Sequence, residues 1–121
     1  MKRIAVIEDN PDNRLLVEAI LDELYDLDEY EDGMTGLDGL RTRIPDVVLL
    51  DISLPGMDGV AVLAEIRADP TLADLPVIAL TAHAMAGDEQ AFLGKGFDAY
   101  VSKPIVDEAV LMDTIEELLN R

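Results

Sequence analysis

Apolar residues in this chain occur in two alternating patterns. Short branched runs, Ile4-Ala5-Val6-Ile7, Asp46 to Leu50, Val77 to Leu80 and Ala99 to Val101, predict buried strands. Leu27 to Tyr30 predicts a further strand of poor apolar character, suited to a sheet edge. Between the runs the period changes to that of a helix. Leu15, Leu16, Ala19, Ile20 and Leu24 share one face behind Asn10-Pro11, a cap followed by proline at the first helical position. Val60, Leu63 and Ile66 mark a helix capped by Asp58 and stopped before Pro70. Leu111, Ile115, Leu118 and Leu119 line a C-terminal one. Residues 35–44 carry Leu37, Leu40 and Ile44 at helical spacing, although Gly36 and Gly39 weaken a helix there. Asp88 to Lys95 predicts a short helix ending at Gly96.

The order is therefore βαβαβαβαβα, an α/β pattern that calls for a parallel sheet with helices on both faces. Neither an internal repeat nor a linker interrupts it, so residues 1–121 are expected to form one domain. In such sheets ligands bind at the carboxyl ends of the strands, beside the switch in strand order.

Composition narrows the function. Half of the residues are hydrophobic, enough for a packed core, and no apolar run approaches the ~20 residues that span a bilayer. MKRIAVIED reaches acids too early for a signal peptide, and cytoplasm is the expected compartment. The absence of cysteine excludes disulfides, thiolate metal sites and thiol catalysis. A formal net charge of −17 repels nucleic acid and anionic membranes, so neither is expected as a partner.

The strand ends carry the chemistry. Strand one runs into Glu8-Asp9, strand three into Asp51, strand four into Thr81, and strand five into Ser102-Lys103-Pro104. Each alone has a plain structural explanation: acids favour a helix N-terminus, threonine caps, and lysine solvates a loop. Together, on one rim, three carboxylates repel and need a cation. Hard oxygen ligands with room for water suit Mg²⁺. A carboxylate can accept a phosphoryl group as an acyl phosphate. Lys103 and Thr81 supply a charge and a hydroxyl for the transferred oxygens. Asp51 is the best nucleophile, because a central buried strand presents it rigidly.

The set Glu8-Asp9, Asp51, Thr81-Ala82 and Lys103-Pro104 resembles the receiver domain of two-component response regulators, over the whole chain and with no room for an output domain. The resemblance implies a flavodoxin-like five-stranded parallel sheet of order 2-1-3-4-5 flanked by five helices. It makes Asp51 the phosphoacceptor, loaded by a sensor histidine kinase or a histidine phosphotransfer protein. Mg²⁺ would be held by Asp9, Asp51 and the Ser53 carbonyl, with Glu8 acting mostly through water. Thr81, Ala82 and Lys103 would bind the phosphoryl group, Tyr100 would be an aromatic switch, and a downstream protein would read the result on helix four, strand five and helix five. It also implies a cis Lys103-Pro104 bond. Glu8 in place of the commoner aspartate and the glycines of helix two depart from the family pattern. The domain would catalyse only its own phosphorylation and dephosphorylation.

Other readings fit less well. Haloacid-dehalogenase-like phosphatases put an aspartyl nucleophile after strand one in a D-x-D pattern, which Asp9-Asn10-Pro11 breaks. A flavin module needs a glycine- or hydroxyl-rich phosphate loop where this chain is acidic. A calcium loop starting at Asp28 has Tyr30 and Gly39 at ligand positions. His83 lies at a strand exit and is expected to be a loop residue near the site, and Met57, Met85 and Met112 form no stripe.

Overall fold

The computed structural model describes residues 1–82, 88–103, 105 and 107–120. The expectations for His83, Met85 and the Lys103-Pro104 bond lie outside the described residues. In chain order the elements are β1 (Arg3–Ile7), α1 (Pro11–Leu21), β2 (Asp26–Tyr30), α2 (Gly33–Thr42), β3 (Val47–Asp51), α3 (Gly59–Ala68), β4 (Val77–Thr81), α4 (Asp88–Gly94), β5 (Ala99–Ser102) and α5 (Glu108–Leu119). All strand pairs are parallel and the sheet order is β2-β1-β3-β4-β5. The order reverses between β1 and β3, where Ile7 pairs with Leu50, so the carboxyl ends of these two strands open side by side.

Alternation along the central strands makes two cores. Ala5, Ile7, Val48, Leu50, Val77 and Ala79 face the layer that includes Leu37, Leu40, Val62, Leu63 and Ile66 of α2 and α3. Ile4, Val6, Val47, Leu49, Ile78 and Leu80 face Val17, Ile20 and Leu21 of α1 and Leu111, Ile115 and Leu118 of α5. β2 is an edge, as its composition suggested. Its Asp28 is tied to Arg3 at 3.1 Å and Arg43 at 3.2 Å, and charge of this kind discourages pairing with another chain.

Three helices differ from the expected faces. On α1, Val17, Ile20 and Leu21 are buried, while Leu15 is 64% exposed and Leu16 36%; Leu24 lies past the helix end and is 48% exposed. Apolar residues lie on more than one side of this helix, and its docking on the sheet rather than its periodicity selects the inner stripe. α2 starts at Gly33 and stops at Thr42, leaving Ile44 exposed beyond it. Its glycines permit close approach: a Cβ on Gly36 would stand 2.6 Å from Cδ1 of Ile7, and one on Gly39 within 2.2 Å of the Tyr30 ring. On α3, Val62 joins Leu63 and Ile66 in the core and Val60 is only half-buried.

Caps fix where the helices begin. Asn10 accepts from the amides of Asp12 and Asn13, Asp32 from Thr35, Asp58 from Ala61 and Asp107 from Ala109. At the opposite end of the sheet Arg67 acts as a clamp. Its guanidinium donates to the carbonyls of Ala73 at 2.9 Å, Leu75 at 2.6 Å and Gly96 at 2.8 Å, and to Asp98 at 3.0 Å. Asp98 in turn accepts the Val77 amide at 2.8 Å, so one side chain aligns the entries to β4 and β5.

Candidate functional site

Glu8 and Asp51 continue β1 and β3 beyond the hydrophobic ladder, and both are buried. Asp9, one residue further along, is exposed. One carboxylate oxygen from each of these three residues falls within 4.8 Å of the others, so the acids named from the strand ends converge. Lys103 reaches into the same space from the end of β5. Its Nζ lies 3.0 Å from Oε1 of Glu8 and 3.0 Å from Oδ1 of Asp51. The Lys103 amide donates to the Thr81 carbonyl at 2.8 Å, which anchors the loop after β5 to the end of β4.

The β3–α3 loop is built around Asp51. The Ser53 amide donates to Oδ1 of Asp51 at 3.1 Å, and the Ile52 amide to the Leu80 carbonyl at 3.0 Å. The chain then turns through Gly56, at φ 71, a left-handed conformation that glycine adopts without strain. It returns so closely that Gly59 donates to the Ile52 carbonyl, and a Cβ there would stand 2.3 Å from the Asp51 carbonyl oxygen. Only glycine fits at this position.

Two buried carboxyls and one ammonium leave room for a proton. Burial raises the Glu8 pKa to about 7, its hydrogen bond to Asp51 adds to that, and Lys103 opposes it. Burial also pushes Asp51 up, but hydrogen bonds from Glu8, the Ser53 amide and Lys103 outweigh it, and Asp51 lies below its ordinary value. Lys103 is pulled down by burial and pushed up more strongly by its two acidic partners. The two acids are thus pushed in opposite directions, Glu8 toward holding a proton and Asp51 toward the ionised form. A divalent ion would replace that proton and satisfy the three carboxylates at once. The donor set, oxygen only and partly open to solvent through Asp9, fits Mg²⁺.

The remaining expected residues lie around this centre. Thr81 is buried at the end of β4, with Ala82 exposed just past it. Ser53 is exposed on the loop after Asp51. Tyr100 is half-buried on β5, paired with Ala79 and packed against the same core layer, two residues along from the Thr81–Ser102 pair. Arg14 was not foreseen. It donates to the Glu8 carbonyl at 2.7 Å, and the available signal was a cation in the first turn of a helix, where the macrodipole disfavours one.

Comparison with known proteins agrees with this geometry. A family model described as the response regulator receiver domain matches residues 4–116. The polar-differentiation response regulator DivK of Brucella anthropi is 38% identical over 105 residues, covering 86% of this chain and 85% of that protein. The sensor protein GacS of Pseudomonas syringae is 37% identical over 107 residues, 85% of this chain, and the matched region is 12% of its length. The receiver domain of a sensor histidine kinase from Pseudomonas aeruginosa, solved with magnesium in its active-site cleft, superimposes with a TM-score of 0.89 at 33% identity, covering 99% of this chain and 98% of that one.

Proposed function

Since the chain belongs to the response regulator receiver domain family, we propose that it is a phosphorylation-driven switch with Asp51 as its phosphoacceptor. One observation carries this: Asp51 is buried at the switch point of the sheet, with Lys103 at 3.0 Å and carboxylate oxygens of Glu8 and Asp9 within 4.8 Å, a set that would hold a divalent ion. Asp9, Asp51, the Ser53 carbonyl and, through water, Glu8 would hold Mg²⁺, which supplies positive charge for the phosphoryl oxygens. A carboxylate oxygen of Asp51 forms a bond to phosphorus as the P–N bond of a donor phosphohistidine breaks, and the imidazole leaves with the electron pair. Lys103 follows the new charge, and Thr81 donates to a phosphoryl oxygen, with Ala82 leaving the approach open. The donor is a sensor histidine kinase or a histidine phosphotransfer protein, and the reader is a downstream protein. The same site would hydrolyse the acyl phosphate, which would limit its catalysis to its own phosphorylation and dephosphorylation. No helix of the described residues is long and apolar enough to cross a membrane, which suits a cytoplasmic switch.

Acetyl phosphate with Mg²⁺ should add one phosphoryl group to the intact protein, and Asp51→Asn or EDTA should abolish the mass shift. A variant labelled as fully as the wild type would falsify the assignment of Asp51.

A further inference from the structure

We infer that Arg14 is a positioning residue for the metal-binding acids, acting through the peptide that joins Glu8 to Asp9. The inference rests on the Mg²⁺ site proposed above. β1 ends at Ile7, so the Glu8 carbonyl lies beyond the strand's last residue and needs another donor. Nη1 of Arg14 provides one at 2.7 Å. On the other side of the residue, the Glu8 amide donates to the Tyr30 carbonyl at 3.0 Å. Both peptide planes of Glu8 are thereby held, one by β2 and one by α1. The carbonyl that Arg14 grips belongs to the peptide between Glu8 and Asp9, so it sets the direction in which both acids leave the backbone.

The location of Arg14 supports a tertiary role. A cation in the first turn of α1 opposes the helix dipole, and this position would favour an acid on local grounds. Arg14 also lies within electrostatic range of Glu29, whose carboxyl burial and Glu18 push up and Arg14 holds down. A lysine could keep the charge but not the planar, rigid donor geometry that fixes the direction of this hydrogen bond.

Two effects of removing Arg14 oppose each other. Loss of its charge would favour a nearby cation, whereas loss of the hydrogen bond would free the Glu8–Asp9 peptide. Outer partners that orient metal ligands typically contribute ~10–100-fold in affinity, and the short charged hydrogen bond makes orientation the larger effect. Arg14→Gln should bind Mg²⁺ about 10-fold more weakly in a calorimetric titration. Arg14→Lys should recover part of the loss. In the metal-free protein, the Glu8 carbonyl carbon resonance should move upfield in Arg14→Gln while core amide resonances stay in place. Unchanged or tighter Mg²⁺ binding by Arg14→Gln would overturn the inference and leave the proposed function intact. Weaker binding accompanied by shifts throughout β1, β3 and β4 would also overturn it, since the role would then be general stability. Failure of the wild type to bind Mg²⁺ would overturn the proposed function and this inference together.

Discussion

A carboxylate buried against another carboxylate must take up a proton, a cation or both, and burial favours the proton on Glu8. Its pKa rises from 4.5 to about 7 on folding, chiefly through burial. The stability that follows from this shift is fully present below pH 4.5 and is lost as pH rises through 7. Asp51, with its pKa lowered from 3.8, acts in the opposite sense: its contribution is present above that value and is lost as pH falls below it. The interval between pH 4.5 and 7 therefore belongs to Glu8. In EDTA, urea unfolding should show a loss on the order of 2–3 kcal/mol across that interval. Glu29 contributes in the same direction, so the decisive comparison is with Glu8→Gln, whose profile should be much flatter. Mg²⁺ should restore the stability at pH 8. An identical pH profile for Glu8→Gln would remove Glu8 as the proton carrier. At this scale the sequence was most informative where a short polar side chain ends a buried strand: Glu8, Asp51 and Thr81 announce themselves by interrupting an apolar run. Arg14 left only the weaker sign of a cation in a helix's first turn, because its partner is a backbone carbonyl that no side-chain pattern marks.

Among the elements, the strands were legible because their branched runs have few alternatives, and the caps because Asn10 and Asp58 sit directly before their helices. Helix faces were less so. On α1 the stripe through Leu15, Leu16 and Ala19 and the stripe through Val17, Ile20 and Leu21 are both apolar, and only docking against the sheet distinguishes them. Gly36 and Gly39 weaken α2 by propensity alone, but they mark where that helix touches the sheet, as Gly59 does for α3. Gly59 shows this most strongly, since its neighbours are backbone atoms of Asp51 and Ile52 that cannot rotate away. Gly59→Ala gains up to ~1 kcal/mol of helix propensity. Against that, a Cβ 2.3 Å from the Asp51 carbonyl oxygen must displace the strand end, and overpacking of this kind typically costs ~1–3 kcal/mol or more. The variant should unfold at a lower temperature by calorimetry and accept phosphate from acetyl phosphate more slowly. A melting temperature equal to or above that of the wild type would show that α3 can slide without disturbing Asp51.

Across the whole molecule, the site must reach a surface that another protein can read, and the sheet offers a short path. A phosphoryl group on Asp51, as proposed, would add negative charge beside Lys103, which is already shared between Asp51 and Glu8. Lys103 is tied by its amide to the Thr81 carbonyl, so charge at β3 is felt at the ends of both β4 and β5. Thr81 lies on the same sheet face as Ala79, and Ala79 pairs with Tyr100. If Thr81 moves toward the phosphoryl group, space opens beside a half-buried tyrosine on an edge strand. A few kcal/mol of differential interaction between two rotamers of such a ring is enough to shift their balance. β5, α4 and the start of α5 would then change together, because Phe92 of α4 packs on the same core layer as Tyr100. Beryllofluoride with Mg²⁺ should move amide resonances through residues 88–103 and into α5, as well as on the rim at 8–10 and 51–53. Tyr100→Ala should keep the rim changes and lose most of those in α4. Changes confined to the rim of the wild type would mean that the phosphoryl charge is not carried to the α4–β5–α5 face, and that a partner must read the site directly.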